Sequence, residues 1–430
     1  MKIRLFLTDM NHEVVNHNFI KTARPELLIP AASLEVLKAA VIYGADAVYI
    51  GGQAFSLRAK AKNFSPEEMA EGIAFAHERG VAVHVTANIL AHNGDLEEAA
   101  AYFRELGELG PDALIIADPG MVMLAKQICP QIPIHISTQA NNTNYMTYRF
   151  WHDLGAQRVV AARELSLREI KQIREKTPAD MEIECFIHGS MCISYSGRCL
   201  LSNYLTGRDA NRGACTHPCR WKYAVMEETR EGEYFPIYEN ERGTFLFNSG
   251  DLCMIGHIPE LMEAGIDSFK IEGRMKTALY VATVARTYRR AIDAAKRSRE
   301  EYEALLPWCM EEIGRCTHRK FNTGFYFGRP DAGTQIYDNS TYEQEAVYLG
   351  TVQEAEGTTF TLIQKNKFSV GEEILIMKPD GRNVQTKVLS IENEEGEQQE
   401  SAPHAGQKLK VTLDQPVNEY DILRRDGGRT

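Results

Sequence analysis

At 430 residues with 44% apolar side chains, the chain is too long for one small module and rich enough to bury a large core plus a second one. Acidic residues outnumber basic ones, 59 against 48, and the formal charge of −11 excludes a surface that is basic throughout, so any nucleic-acid contact must use a local patch. No leader-type segment and no run of about eighteen apolar residues is visible; a cytoplasmic protein without membrane contact is expected, where nine cysteines read as thiols or metal ligands rather than disulfides.

Residues 1–24 read as an N-terminal arm. From residue 25, apolar β-rich runs alternate with helical patterns. The runs are Glu26–Ala31, Ala47–Gly51, Val81–Thr86, Ala113–Asp118, Ile132–Ser137, Arg158–Ala162 and Met181–Ile187. Between them, stretches such as Pro66–Arg79 and Leu96–Leu109 place apolar residues at helical spacing behind acidic first turns. Further on come a candidate strand Phe245–Asn248, a helix Ile258–Ala264, a strand Ser268–Glu272 and a helical stretch from Ala278 to Ser298. Strands apolar on both faces and separated by helices predict a parallel sheet. Eight or nine of them within about 275 residues fit an α/β fold of the (β/α)8 TIM-like barrel type better than an open doubly wound sheet. No GxGxxG follows the first strand, which argues against a dinucleotide site. The barrel is expected over residues 25–300, interrupted by a cysteine-rich insertion at about 188–253.

Residues 301–342 are mixed, with an aromatic and glycine-rich run Phe321–Gly328, and read as a connecting segment laid against the barrel. Residues 343–430 carry short alternating strands, Ala346–Val352, Thr359–Gln364, Glu373–Met377, Gln385–Ile391, Lys408–Leu413 and Asp421–Arg424, broken by turns such as Pro379-Asp380-Gly381. They predict a small all-β C-terminal barrel, with the acidic, Gln-rich Glu392–Ala405 as a solvated loop.

Chemistry concentrates in one place. Cys192, Cys199, Cys215, Cys219 and Cys253 fall inside sixty-two residues, among glycines and arginines. Soft thiolates arriving from separate loops suit an iron–sulfur cluster better than a zinc ribbon, whose paired CxxC knuckles are missing, and the CxxxCxxC of radical enzymes is missing too. Five candidates for four corners leave one surplus. The bland alternative is that they are small buried hydrophobes, as Cys129, Cys185, Cys309 and Cys316 are expected to be from their apolar surroundings.

The run Glu184-Cys185-Phe186-Ile187-His188-Gly189-Ser190-Met191-Cys192, continued by Ser196-Gly197-Arg198-Cys199, Gly213-Ala214-Cys215-Thr216-His217-Pro218-Cys219, Ser249-Gly250-Asp251-Leu252-Cys253 and Lys270-Ile271-Glu272-Gly273-Arg274, resembles the signature of the peptidase U32 family. The resemblance extends from about Glu26 to Thr430, and the presence and order of all five cysteines are most similar to the members that hydroxylate tRNA. It implies an oxygen-independent hydroxylase forming 5-hydroxyuridine at wobble position 34, prephenate as co-substrate, tRNA as partner and a [4Fe-4S] cluster on Cys192, Cys199, Cys215 and Cys253, with Cys219 as the substitute for Cys215. A heteromer with a paralogous U32 protein is a further expectation. The family name instead implies a peptidase, for which a cysteine paired with a histidine, such as His188 or His217, would be needed. A third reading is a non-catalytic cluster-carrying partner subunit.

Other residues complete the candidate site. Positions just past barrel strands face the active end: Asn88, Asp118, Gln139, Glu164, His188 and Glu272. Glu184, His188 and Glu272 are the candidate proton-transfer groups, the alternative for the two carboxylates being internal salt bridges with Arg198 or Arg274. A dicarboxylate needs bidentate guanidinium partners, so Arg58, Arg198 and Arg274 are candidates to hold it. Lys60 and Lys62 read as solvated charge, while Arg208, Arg212, Arg220, Trp221, Lys222 and Tyr223 alternate cations and aromatics as an RNA contact would.

Overall fold

The computed structural model describes residues 25–57, 63–192, 194–220, 239–240, 243–244, 250–328 and 346–427. The predicted arm and the strand predicted at Phe245–Asn248 lie outside them. Strands β1 (Glu26–Pro30), β2 (Ala47–Gly51), β3 (Ala82–Ala87), β4 (Ala113–Ile116), β5 (Ile134–Ile136), β6 (Arg158–Val160) and β7 (Glu182–Ser190) pair in parallel in chain order. After β8 (Asp251–Cys253), which stands outside the ring, β9 (Ser268–Ile271) pairs in parallel with both β7 and β1 and closes the sheet. The eight-stranded parallel barrel expected from the strand count is therefore present.

Helices α1 (Leu34–Ile42), α2 (Pro66–His77), α3 (Leu96–Leu109), α4 (Pro119–Ile128), α5 (Tyr145–Asp153) and α6 (Leu167–Lys176) follow the first six strands. Their starts are local decisions of the sequence. Ser65 and Glu68 form a reciprocal capping box ahead of Pro66, as Ser166 and Glu169 do for α6, satisfying amide groups that a helix end leaves without partners. Past β7 come α7 (Leu201–Thr206) and α8 (Ile258–Glu263), then α9 (Ala278–Arg297), capped by Thr277. Apolar side chains between strands and helices, among them Leu27, Ile29, Val48, Ile50, Val83, Val85, Ile183 and Phe269, form the large core.

The inside of the barrel is unusual in being charged. Arg158 on β6 reaches across the lumen to Glu26 on β1, 3.1 Å from its terminal nitrogen, and also contacts Glu182 at 2.7 Å and Glu184 at 3.2 Å. Lys270 on β9 closes on Glu184 at 2.6 Å. Burial would raise the Glu26 carboxyl, yet the Arg158 guanidinium holds it down to about 2. Buried charges survive when each meets an opposite charge and hydrogen bonds, and here the two cations and three carboxylates interlock.

The stretch 301–342, read as a mixed connecting segment, contains most of a helix that the sequence reading did not assign, α10 (Arg299–Gly314). Pro307 inside it and its weakly sided sequence hid a helix that packs along α9. The C-terminal strands Ala346–Glu356, Thr359–Ile363, Lys408–Leu413, Asn383–Glu392, Glu373–Met377 and Ile422–Asp426 form a closed antiparallel ring with its own core of Leu349, Phe360, Leu362, Ile376 and Val411. Within the stretch expected to be a solvated loop, Gln398–Gln399 and Ser401–Ala402 form two short strands.

One buried cluster fastens this domain to the barrel. Glu312 on α10 accepts two parallel bonds of 3.1 Å from Arg424 of the β domain and also pairs with Arg286 on α9, and all three are at most 2% exposed. Burial would raise the Glu312 carboxyl; the two guanidiniums hold it down to about 2. Tyr43 on the barrel side adds a 2.7 Å bond to the Met377 carbonyl. Removing one member of a buried charge cluster strands the rest, a loss of about 3–5 kcal/mol. Glu312→Ala is accordingly expected to lower stability by that order in denaturant unfolding, and to split one transition into separate barrel and β-domain steps.

Candidate functional site

Strand β7 delivers the site. It runs past the barrel rim and pairs antiparallel with β8, setting Cys253 opposite His188 and Asp251 opposite Ser190. Gly189 sits at φ 105°, and a side chain there would come within 2.4 Å of the Glu272 carbonyl, so glycine is what lets the end of β9 lie against β7. Beyond Ser190 the chain enters the cysteine-rich insertion, which is pinned across the rim at three points, one of them a 3.3 Å bond from the Leu90 amide to the Asn211 carbonyl. Arg212 grips Asp95, ahead of α3, through two 2.8 Å bonds, and Gly197 packs against Gln139 beyond β5.

At the rim, Arg163 is the residue the sequence reading missed. Its guanidinium binds Glu272 at 3.0 Å and the Ser190 carbonyl at 3.1 Å, lies over the Phe186 ring and comes 3.9 Å from the Cys192 sulfur. It immediately precedes Glu164, which the rule about positions past a strand end had selected, so the signal pointed one residue away. Burial raises the Glu164 carboxyl above its ordinary value, which suits a proton donor. Arg274, 4% exposed, reaches back across the rim to Ser56 at 2.7 Å, Thr86 at 3.0 Å and Asn63 at 3.1 Å. Asn88 bridges the Leu57 amide and the Ser137 hydroxyl. Two guanidiniums, carboxylates, hydroxyls and amides thus ring one mouth, an arrangement able to hold an oxyanion and move protons beside it.

The other candidates sort differently. Glu184 is fully buried in the lumen between Lys270 and Arg158; its partners are these cations and not Arg198 or Arg274. Glu272 also forms a salt bridge, but to Arg163 at the rim. His188 is 1% exposed, bonded through Nδ1 to the Tyr288 hydroxyl, and burial depresses it to about 3. Asp118 serves as the N-cap of α4. Arg198 is exposed; Arg58, Lys60, Lys62, Trp221, Lys222 and Tyr223 lie outside the described residues.

The thiols divide into two environments. Cys192 is exposed, and Cys199, Cys215 and Cys219 are partly so; the backbone amide of His217 points at the Cys215 sulfur from 3.4 Å. Cys253 is buried with Cys129, Cys185, Cys309 and Cys316. Side chains of directly paired strand residues share a face, and those of Cys253 and His188 both meet the Tyr288 hydroxyl, at 3.8 Å and 3.2 Å. Burial pushes the Cys253 thiol up to about 11. The register puts Cys192 four residues beyond the position opposite Cys253, on the order of 13 Å of extended chain at about 3.3 Å per residue. Soft sulfur donors suit an iron–sulfur cluster, but the set Cys192, Cys199, Cys215 and Cys253 is not assembled: among the described residues no three His, Cys, Asp or Glu side chains are placed to hold a metal ion.

Comparison with known proteins settles the kinship. The model of peptidase family U32 matches residues 32–336, and that of the U32 C-terminal domain matches residues 344–424. The chain belongs to peptidase family U32. It is 40% identical over 421 residues to tRNA hydroxylation protein P1 of Bacillus subtilis, covering 97% of this chain and 99% of that one. Against tRNA hydroxylation protein P of Escherichia coli it is 37% identical over 450 residues, 95% of this chain and 98% of that one. The 23S rRNA 5-hydroxycytidine C2501 synthase of Escherichia coli is 39% identical over 275 residues, 64% of this U32 chain and 40% of the synthase.

Two measurements probe the site. In the metal-free protein, alkylation followed by peptide mass spectrometry is expected to label Cys192, Cys199, Cys215 and Cys219 rapidly and Cys253 only on unfolding. The unfolded chain protonates the imidazole of His188 near 6.5 and the folded one not until about 3, so stability falls as pH drops through that window; His188→Phe is expected to make the fall in denaturant midpoint with acid shallower.

Proposed function

We propose that this chain works in RNA hydroxylation, with tRNA as substrate and 5-hydroxyuridine at wobble position 34 as product. The observation that carries the reading is the near end-to-end likeness to proteins named for tRNA hydroxylation. A mouth ringed by Arg163, Arg274, Glu272 and Glu164 supports it, because a hydroxylation that needs a carboxylate co-substrate requires fixed cations beside proton-transfer groups. We assign prephenate to that mouth, with Arg274 taking a carboxylate and the buried hydroxyls of Ser56 and Thr86 orienting the guanidinium.

The iron–sulfur cluster is proposed on donor chemistry alone. When bound it would supply one-electron chemistry, and its loading would have to draw Cys192, Cys199 and Cys215 together with either Cys219 or a Cys253 turned away from Tyr288. A peptidase is less well supported. His188 is buried against Tyr288 while Cys192 lies exposed beside Arg163, so these two do not form a nucleophile and base.

The test is nucleoside analysis of tRNA from a strain lacking the gene and any paralogous route. Loss of 5-hydroxyuridine and its derivatives is expected, and unchanged levels would remove the assignment. Complementation with Arg274→Met is expected to restore less than a tenth of the product, since the guanidinium assigned to the carboxylate is removed, with the defect eased by raising prephenate. Anaerobic purification with iron and sulfide assay addresses the cluster separately.

A further inference from the structure

The short segment from Tyr195 to Arg208 offers a surface that the barrel mouth does not explain. Tyr204 on α7 is 85% exposed, Leu200 just before that helix is 66% exposed, and Tyr195 is 45% exposed. Large apolar side chains this open are ordinary singly, but three within ten residues on one pinned segment call for an occupant. Charge indicates which. Residues 191–220 hold four arginines, Arg198, Arg208, Arg212 and Arg220, against the single acid Asp209, a local surplus of three positive charges in a chain whose total is −11. Arg212 is engaged with Asp95; among the described residues neither Arg198 nor Arg208 has an ion-pair partner, and both are exposed.

We propose that Tyr195, Leu200 and Tyr204, with Arg198 and Arg208, form a stacking platform for an unpaired stretch of RNA. This deepens the RNA reading above and rests on it. Bases out of a duplex stack on aromatic faces while guanidiniums take the flanking phosphates, and that pairing of chemistries is what the segment displays. A protein partner would have to bring an apolar face and carboxylates together, whereas a single RNA strand offers stackable bases and phosphates at once. Helix α7 begins two residues after Cys199, and the insertion is tied down on the β3 side by Arg212–Asp95 and beyond β5 by Gly197 on Gln139, so a base held here lies beside the barrel's open end.

The test is binding by the full-length protein, read by fluorescence anisotropy with a labelled single-stranded oligoribonucleotide and a hairpin bearing a seven-base loop, against a blunt RNA duplex. Tyr204→Ala is expected to weaken binding to the unpaired RNAs about tenfold, Tyr204→Phe to restore it, and the Arg198→Glu and Arg208→Glu pair to weaken it further and flatten its salt dependence. Phe150→Ala, on the outer face of α5, serves as control and should change nothing. Equal binding by wild type and Tyr204→Ala, preference for duplex, or failure of the wild type to bind RNA would overturn the proposal. Loss of co-purification with a protein while RNA binding stays intact would overturn it too. Because binding is read without chemistry, a strain that keeps its 5-hydroxyuridine would sink the hydroxylation assignment and leave the platform standing.

Discussion

Closure of β7 against β9 is the constraint on which the rest of the molecule depends. The two strands are joined by a parallel ladder and by the Glu184–Lys270 ion pair inside the lumen, and Arg158 links the same carboxylate to β6 and across to Glu26 on β1. An apolar barrel interior would be held by packing alone, and swapping one aliphatic residue for another would alter it little. A charged interior is stricter, since each carboxylate must find its cation or remain stranded in a medium that solvates it poorly. The seam therefore fixes one register, and through that register it fixes where β7 leaves the rim, where Glu272 meets Arg163 and where the insertion starts.

That seam also accounts for which parts of the site could be read from the sequence. The alternation of apolar runs with helical patterns is a direct imprint of strands buried on both faces, so the barrel was legible, and period-two patterning with turn residues made the second, all-β domain legible. The five cysteines near β7 could be read as a group because nothing else in the chain has that density. Their division into exposed and buried members could not. Cys253 looks equivalent to Cys192 in sequence, and only the antiparallel pairing that places it opposite His188 turns its sulfur toward Tyr288. Glu184 opens the most distinctive run, yet a strand residue two positions from another of the same face points into the lumen regardless of how distinctive its neighbours are.

Arg163 and α10 were invisible for different reasons. A lone arginine after a strand carries no pattern, and its meaning arises from meeting Glu272, the Ser190 carbonyl and Cys192, which approach from elsewhere in the chain. Helix α10 was obscured by Pro307 and by a surface shared between α9 and the β domain, which removes the single apolar stripe that marks a helix. Glu312 within it is a case of tertiary context overriding appearance: in sequence it is one of several acids, in the structure it is the anion between Arg286 and Arg424.

The coupling between the two domains bears on the site because α9 serves both. Its Tyr288 hydroxyl touches His188 and Cys253, and two residues earlier Arg286 binds Glu312 and the Lys378 carbonyl of the β domain. One helix therefore carries both the hydroxyl that contacts the Cys253 thiol and, two residues away, a member of the interdomain clamp, and a shift of α9 that freed Cys253 from Tyr288 would have to strain the Arg286–Glu312–Arg424 cluster. Since a buried charge cluster tolerates displacement poorly, the lower-cost way to gather sulfurs at the mouth is movement of the insertion, whose cysteines are already partly exposed and whose described ties to the barrel rim are the ion pair Arg212–Asp95, the Leu90–Asn211 backbone bond and the contact of Gly197 with Gln139.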